Sequence, residues 1–374
     1  MMEAEAASNP DGLSIQRLHA VIAAAVAAGA SDLHISSHHP PVLRLDGTMR
    51  PLEGASAWTP EELQDLLEKF LPQQRLEDFR SRRSADHAFS TTPGCRFRLN
   101  AYHERGWPAL AIRRLENRPH SFEELGLPKQ LAELANLRDG LVLFTGPTGS
   151  GKSTSLAALL DAINKQRACH ILTIEDPIEY THANQLALVH QRELGSDVPN
   201  FADALRDALR EDPDVILVGE MRDLATIRAA LTAAETGHLV FSTLHCSDTV
   251  GAIDRIAAMY PAEEQAGVLR QISHCLKGVV AQRLLPKAKG GRAASVEILR
   301  FTPAVANLVR TGQLAQIYTV LETGAQQGQL PFDQHLAELV AAGTVSEAEA
   351  RPLATSRLFE ERLNHLRRSP KFKV

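Results

Sequence analysis

The stretch GLVLFTGPTGSGKSTSLAAL, residues 140–159, decides the fold. It begins with an apolar run, passes through a glycine-rich turn and continues into a segment with the composition of a helix. The turn, GPTGSGKS at residues 146–153, matches the pattern G-x-x-x-x-G-K-[S/T] in full, with the preceding strand and the following helix that this pattern requires. A chance turn with one lysine would not bring both flanks with it. The sequence therefore predicts a phosphate-binding loop.

The residue types in this loop suit a bound nucleotide. Glycines at 146, 149 and 151 let backbone N–H groups approach phosphates without side-chain clashes. Lys152 supplies a positive charge for the β- and γ-phosphates, the Ser153 hydroxyl can bind Mg²⁺, and the helix amino terminus adds partial positive charge. We therefore predict a site for ATP and Mg²⁺ made of Gly146, Pro147, Thr148, Gly149, Ser150, Gly151, Lys152, Ser153 and Thr154.

Strands and helices alternate around this loop. The apolar strands are LVLFT, HILTIED, VILVGE and HLVFSTL, and helical segments separate them. Nearly continuous apolar strands joined by helices predict an α/β fold, with a parallel sheet covered on both faces. Beyond residue 251 we predict a mostly helical region, broken at PKAKGGR, residues 286–292.

The first third of the chain has a different pattern. Short extended segments such as SDLHIS and CRFRLNAYHE surround helical runs at residues 13–30 and 60–79, which predicts a small α+β domain. Turn residues flank a linker-like segment at 116–128. We place the domain boundary near residue 118, which gives domains 1–118 and 119–374. The basic tail, residues 362–374, is predicted to be frayed.

Composition argues against several classes of protein. The chain has 45 acidic and 40 basic residues, a net charge of −5, which argues against a nucleic-acid-binding protein. Its 4 cysteines form no CxxC pair, as expected in a reducing cytoplasm. The longest apolar run, residues 20–30, is about half of the ~20 residues that span a bilayer. We expect a cytoplasmic protein that can still dock onto a membrane protein.

Two of the predicted strands end in acidic residues. ILTIEDPIEY places Glu175 and Asp176 at a strand end, and VILVGE places Glu220 at another. Since the carboxyl ends of parallel strands meet at one edge of a sheet, these carboxylates are expected near the phosphates. A single acidic strand end is common for solubility, whereas two beside a complete phosphate loop favour catalysis. We predict catalytic roles for all three, with Glu220 also reaching Mg²⁺ through a water.

The segment GHLVFSTLHC, residues 237–246, contains two histidines and a cysteine. On a strand His238 and His245 would lie on the order of 23 Å apart and on opposite faces, so one zinc ion cannot join them. His238 is explained equally well as a buried imidazole with its hydrogen bonds satisfied. His245 ends its strand on the side of the phosphate loop, and we predict that it senses the γ-phosphate.

Taken in order, these segments resemble the secretion ATPase superfamily, and within it the pilus retraction motors of the PilT type. The resemblance covers nearly the whole chain from residue 29, and it includes long phrases such as residues 208–245. It implies a RecA-like P-loop core with a PAS-like amino-terminal domain. It also implies that Glu175 and Asp176 order water and metal, and that Glu220 is the Walker B glutamate. His238 and His245 would occupy the two positions of the His box.

The resemblance extends to arginines of the first domain. RFRLNAY and AIRR are similar to segments whose arginines reach the nucleotide, some of them across a subunit boundary, which implies such roles for Arg96, Arg98 and Arg113. A guanidinium from a second subunit can neutralise charge on the leaving phosphate when a ring closes. Each of the three is equally well explained as a surface arginine on a strand.

The function implied by the resemblance is that of an ATP-hydrolysing homohexamer that powers type IV pilus retraction and twitching motility. It implies a cytoplasmic location at the inner membrane, a pilus platform protein as partner, a possible paralogous ATPase partner, and no nucleic acid. An accessory PilU-like ATPase stays open, because the segment AVANLVRT at 304–311 departs from the retraction motors' pattern. Assembly or secretion ATPases commonly carry a CxxC…CxxC element, which this sequence lacks. A nucleic-acid motor and a nucleotide-binding subunit without turnover are the remaining alternatives.

Overall fold

The computed structural model describes residues 13–45, 47–91, 95–115, 118–356 and 358–368. The chain divides into two compact units, Met1–Asn117 and Arg118–Val374. Each unit has its own sheet and its own buried core. None of the described helices combines the length and the apolarity needed to cross a bilayer.

In the first unit, helices pack against an antiparallel sheet with the strand order β3-β2-β1-β6-β5-β4. The prediction of a small α+β unit is confirmed. Its described elements are α1 (Leu13–Ala27), β1 (Asp32–Ser36), β2 (Val42–Leu45), β3 (Thr48–Pro51), α2 (Pro60–Phe70), α3 (Gln73–Arg82), β4 (Ser84–Thr91), β5 (Cys95–Glu104) and β6 (Trp107–Leu115).

Helix α2 shows how the sequence defines an element in this unit. The Thr59 side chain accepts a hydrogen bond from the backbone N–H of Glu62, and the Glu62 carboxylate accepts one from the backbone of Thr59. This capping box, with Pro60 in the first turn, fixes the start of the helix. The predicted single helix over 60–79 is two helices, because Pro72 has no N–H to continue the first one.

The second unit contains a sheet with the order β13-β12-β7-β11-β10-β8-β9, parallel except for the antiparallel pair β12–β13. The predicted α/β fold is confirmed. The described elements are α4 (Phe122–Leu125), α5 (Lys129–Ala132), β7 (Gly140–Thr145), α6 (Lys152–Gln166), β8 (His170–Glu175), β9 (Leu188–Glu193), α7 (Phe201–Ala208), β10 (Val215–Val218), α8 (Leu224–Glu235), β11 (Leu239–Leu244), α9 (Thr249–Ala258), α10 (Ala262–Cys275), β12 (Leu276–Pro286), β13 (Arg292–Arg300), α11 (Pro303–Arg310), α12 (Ile317–Thr323), α13 (Phe332–Ala341), α14 (Glu347–Ala350) and α15 (Leu358–Arg368).

The central strands of this sheet are buried on both faces. In β7, Leu141 and Leu143 belong to the core on one face, whereas Val142 and Phe144 belong to the core on the other. All residues of β7 and β11 are buried, as a parallel sheet between two helical layers requires. Two-sided burial therefore explains why the predicted strands are continuously apolar and do not alternate.

The prediction of a mostly helical region beyond residue 251 is confirmed as far as Cys275, by α9 and α10, and is wrong for the two segments 276–286 and 292–300. These residues form β12 and β13, a hairpin whose turn contains Gly290 and Gly291. Short apolar runs do not distinguish a buried strand from a helix, and here pairing with β7 decides the outcome. The predicted helical region resumes at Pro303 with α11. Strand β12 consequently borders the strand that carries the phosphate loop.

The tail also departs from the expectation of a frayed segment from residue 362. Residues 362–368 continue α15, where Leu363 is buried and Arg367 forms an ion pair of 2.6 Å with Glu347. The apolar anchor and the ion pair outweigh the repulsion among the basic residues that suggested fraying. Residues 369–374 lie outside the described residues.

Asp333 joins α13 to the segment before α15. Its buried carboxylate accepts hydrogen bonds from the backbone N–H groups of Thr355 and Ser356, both at 2.8 Å, and from the Ser356 hydroxyl at 2.7 Å. A carboxylate that is 3% exposed depends on these donors, because water cannot replace them.

We predict that Asp333→Ala lowers the free energy of unfolding of the second unit by about 1–3 kcal/mol, because it removes the shared acceptor of three hydrogen bonds that attach residues 355 and 356 to α13. Urea denaturation measures the change. Asp254→Ala, at an exposed position of α9, is the control and should stay within about 0.5 kcal/mol of the parent. Equal stabilities of the two variants would contradict this role of Asp333.

Candidate active site

The phosphate loop joins the buried strand β7 to α6 and lies against β12. At Gly146, φ is +142°, and a Cβ atom there would lie 2.3 Å from the backbone oxygen of Gln282. At Gly151, φ is +84°, and a Cβ would lie 2.8 Å from the Gln282 side-chain nitrogen. Glycine is required at Gly146 by lack of space against the backbone of β12, and at Gly151 by the positive φ of its backbone.

Lys152 turns back into the loop that precedes it. Its ammonium donates hydrogen bonds to the backbone oxygens of Gly146 at 2.7 Å and Pro147 at 3.1 Å. Burial lowers the pKa of Lys152, and the negative charges of Glu220 and Glu179 oppose that shift. On nucleotide binding, phosphate oxygens would therefore replace the two backbone oxygens as hydrogen-bond acceptors of the Lys152 ammonium.

The Ser150 hydroxyl supports the same interpretation of the loop. It is a buried oxygen with no hydrogen-bond partner among the described residues. Buried hydroxyl groups normally have a partner, so this atom suits a polar ligand held within the loop.

Glu220 and His245 meet at the carboxyl edge of the sheet. Glu220 follows β10, and its side chain, only 13% exposed, lies 2.7 Å from Nε of Arg222. Nε2 of His245 lies 3.6 Å from the second carboxylate oxygen of Glu220. The parallel register of β10 and β11 brings these strand ends together, as the apolar strands with polar ends predict.

Glu175 ends β8 at the same edge. Its carboxylate accepts hydrogen bonds from the Thr173 hydroxyl at 2.7 Å and the Gln191 amide at 3.2 Å. Burial raises the pKa of Glu175 to about 7, although both hydrogen bonds act in the opposite direction. Glu175 is therefore a carboxyl group whose charge changes near neutral pH when no cation is bound.

Glu175, Ser153 and Thr243 line part of a cavity of about 40 Å³ whose remaining wall is mostly apolar. This volume is large enough for a water molecule. Its hydroxyl and carboxyl oxygens are the ligand types that Mg²⁺ prefers. Among the described residues, no group of three or more His, Cys, Asp or Glu side chains could hold a metal.

Two of the predicted residues are placed differently. His238 precedes β11, at the opposite edge from the phosphate loop, and its Nδ1 lies 3.0 Å from the backbone oxygen of Ala233. The structure thus separates His238 from His245, as the length of the strand between them requires. Asp176 follows Glu175 and is exposed, with its side chain outside the cavity lining.

The three predicted arginines lie on one face of the sheet in the first unit. Arg98 of β5 pairs directly with Arg113 of β6, and Arg96 is two residues away along β5. Oδ1 of Asp86 lies 3.4 Å from Nε of Arg98, and Oδ1 of Asp32 lies 2.7 Å from Nε of Arg113. These carboxylates offset the repulsion between the neighbouring guanidinium groups.

Sequence reasoning missed several residues that support the site. The Tyr180 hydroxyl lies 2.9 Å from the Thr154 hydroxyl, and Gln191 holds Glu175. Gln282 contacts the phosphate loop from β12. Tyr180 ends the segment ILTIEDPIEY, in which only the acidic residues suggested a function. Gln191 lies in a segment without a motif, and Gln282 lies in a segment that was predicted to be helical.

We predict that Gly146→Ala weakens ADP binding at least about tenfold, because the new methyl group must displace either β12 or the loop. Titration with a fluorescent ADP derivative measures the dissociation constant. Gly290→Ala is the control, since Gly290 also has positive φ, +86°, but open space around it. Unchanged ADP binding by the first variant would contradict the described geometry.

The raised pKa of Glu175 predicts that the stability of the nucleotide-free protein depends on pH. The folded state binds the Glu175 proton up to a pH of about 7, whereas the ordinary pKa is 4.5, so stability falls as the pH rises between these values. Glu175→Gln mimics the neutral form. It should raise the free energy of unfolding at pH 8 by up to about 3 kcal/mol and change it little at pH 4.5.

Urea denaturation at the two pH values measures this difference. Glu263→Gln, on the exposed surface of α10, is the control and should show no such pH-dependent gain. A Glu175→Gln variant that is no more stable than the parent at pH 8 would show that the carboxyl group is not buried as described.

Comparison with known proteins identifies the family. Residues 8–297 match the family model described as type II/IV secretion system protein. The type IV pilus retractation ATPase PilT of Pseudomonas aeruginosa is 45% identical over 331 residues, covering 87% of this chain and 94% of that protein. A twitching motility protein of Neisseria gonorrhoeae is 44% identical over 312 residues, covering 83% of each chain.

The likeness extends to three-dimensional structure. A crystal structure of the pilus retraction motor PilT with bound ADP is similar with a TM-score of 0.84 and 41% identity, covering 91% of this chain and 98% of that one. The resemblance seen in the sequence is confirmed. The chain therefore belongs to the type II/IV secretion system protein family, as an ATPase similar to PilT.

Proposed function

We propose that this protein is the ATP-hydrolysing motor that powers type IV pilus retraction. The observation that carries the proposal is the meeting of Lys152, Glu220 and His245 at one edge of the sheet, beside a complete phosphate loop. Coverage of nearly the full length of PilT supports the same activity and cargo. The ADP in the similar crystal structure supports an adenine nucleotide as the ligand.

ATP binding begins at the loop. The Lys152 ammonium exchanges the backbone oxygens of Gly146 and Pro147 for oxygens of the β- and γ-phosphates. The first turn of α6 directs N–H groups at the same anion. Ser153 and Glu175 would hold Mg²⁺, and Glu220 would contact it through a water. Bound Mg²⁺ supplies charge neutralisation across the phosphates.

Hydrolysis requires a base for the attacking water. The Glu220 carboxylate can accept the proton of that water, and its ion pair with Arg222 holds the carboxylate in position. His245 has a side chain that is 47% exposed and lies beside that carboxylate, so its ring can donate a hydrogen bond to the γ-phosphate. When the γ-phosphate leaves, His245 would lose this hydrogen bond. The contacts of His245 would therefore differ between the ATP and ADP states.

Motor action requires several copies of the chain. We propose a homohexamer in which Arg96, Arg98 and Arg113 neutralise charge on the nucleotide, some of them across a subunit boundary. The grouping of these arginines on one sheet face supports a shared role. Closure and opening around ATP would drive a pilus platform protein at the inner membrane, from the cytoplasmic side. Cooperation with a paralogous retraction ATPase is compatible with this scheme.

We predict that Glu220→Gln lowers kcat for ATP hydrolysis at least about a hundredfold while ATP still binds, because the amide cannot accept the proton of the water. A phosphate-release assay and nucleotide titration measure the two quantities. Glu263→Gln should retain the parent kcat. An equally active Glu220→Gln variant would contradict the role of Glu220.

The direction of the motor is tested in cells. Deletion of the gene should give hyperpiliated cells that do not twitch, because assembled pili can no longer be withdrawn. Complementation with the parent chain should restore twitching, whereas Glu220→Gln should not. Bald cells after deletion would instead show that the protein drives assembly.

A further inference from the structure

We propose that Gln282 of β12 is a positioning residue that sets the phosphate loop in its binding conformation. Its side chain is 2% exposed. The amide nitrogen donates a hydrogen bond to the backbone oxygen of Ser150 at 2.7 Å, and the amide oxygen accepts one from the Ser155 hydroxyl at 2.9 Å. These two contacts lie on either side of Lys152 in sequence.

The bond to Ser150 determines where a neighbouring donor points. The Ser150 carbonyl and the Gly151 N–H belong to one planar trans peptide, in which the two groups point in opposite directions. Holding the carbonyl toward Gln282 therefore directs the Gly151 N–H away from β12. Backbone N–H groups of such a loop are the donors that bind phosphates. Gln282 thus fixes the direction of a donor that a phosphate requires.

The backbone of Gln282 adds a second restraint. Its carbonyl oxygen would lie 2.3 Å from a Cβ at Gly146, and its side-chain nitrogen 2.8 Å from a Cβ at Gly151. One residue of β12 therefore lies against both the first and the last glycine of the loop. Movement of β12 relative to β7 would move the loop with it.

A glutamine suits this position because an amide has both a donor and an acceptor. Methionine has a similar length but would leave the buried oxygen of Ser150 without its donor, which costs free energy and frees the peptide to rotate. Glutamate would place a carboxylate oxygen against the Ser150 carbonyl. Neither replacement maintains both hydrogen bonds.

The proposal rests on ATP as the ligand, and Gln282→Met in the full chain tests it. We expect the dissociation constant for ADP and the KM for ATP to rise about tenfold. We expect kcat at saturating ATP to fall less than about threefold, because Gln282 does not contact Glu220 or His245. Isothermal titration with ADP and steady-state hydrolysis measure these values. General loss of structure would lower kcat through a smaller active fraction and leave KM unchanged.

Gln329→Met is the matched control. Gln329 is 1% exposed, and its amide also forms two hydrogen bonds, with the backbone N–H and oxygen of Arg300. We expect this variant to lose stability while it keeps the parent affinity for ADP. Ser155→Ala, which removes one partner of Gln282, should weaken ADP binding about two- to threefold and decides the case if Gln282→Met does not fold.

The outcomes separate this inference from the proposed function. Parent protein that does not bind ADP would overturn the proposed function. Parent protein that binds ADP, with Gln282→Met or Ser155→Ala binding equally well, would overturn the role of Gln282. An equal loss of ADP affinity in Gln282→Met and Gln329→Met would also overturn it, because the effect would then follow from any buried amide.

Discussion

The close approach of β12 to the phosphate loop is the constraint on which the rest of the site depends. The backbone oxygen of Gln282 occupies the space that any side chain at position 146 would need. Lys152 can turn back onto the loop only because the loop curves tightly at its glycines. The loop conformation is therefore a property of the packed sheet as much as of the loop's own sequence.

The parallel sheet then determines which other residues join the site. Because β7, β8, β10 and β11 run in the same direction, their carboxyl ends share one edge. Glu175, Glu220 and His245 follow three of those strands, and Lys152 follows the fourth. Burial of both sheet faces fixes the strand register, so the chemistry at the edge depends on apolar packing far from it.

Much of this arrangement could be predicted from the sequence, for identifiable physical reasons. The phosphate loop has a motif with the required flanks. Glu220 can be recognised as an acidic residue that follows an apolar run. The strands β12 and β13 could not be predicted, because their apolar residues fit either a buried helix or a buried strand and only pairing with β7 decides. Gln282 was missed for that reason.

Other supporting contacts depend on long-range packing that no local pattern encodes. The environment of Glu175 depends on residues distant in sequence: burial raises the pKa of its carboxyl group, and the hydrogen bond from Gln191 of β9 acts against that shift. The helical course of residues 362–368 depends on contacts made by Leu363 and Arg367. Charge and composition alone suggested the opposite for that segment.

A crystal structure with Mg²⁺ and a non-hydrolysable ATP analogue tests the central claim most directly. The account predicts that the Lys152 ammonium leaves the backbone oxygen of Gly146 and binds a phosphate oxygen, with the γ-phosphate facing Glu220 and His245. A nucleotide bound away from the loop would contradict the account. So would a γ-phosphate directed away from Glu220.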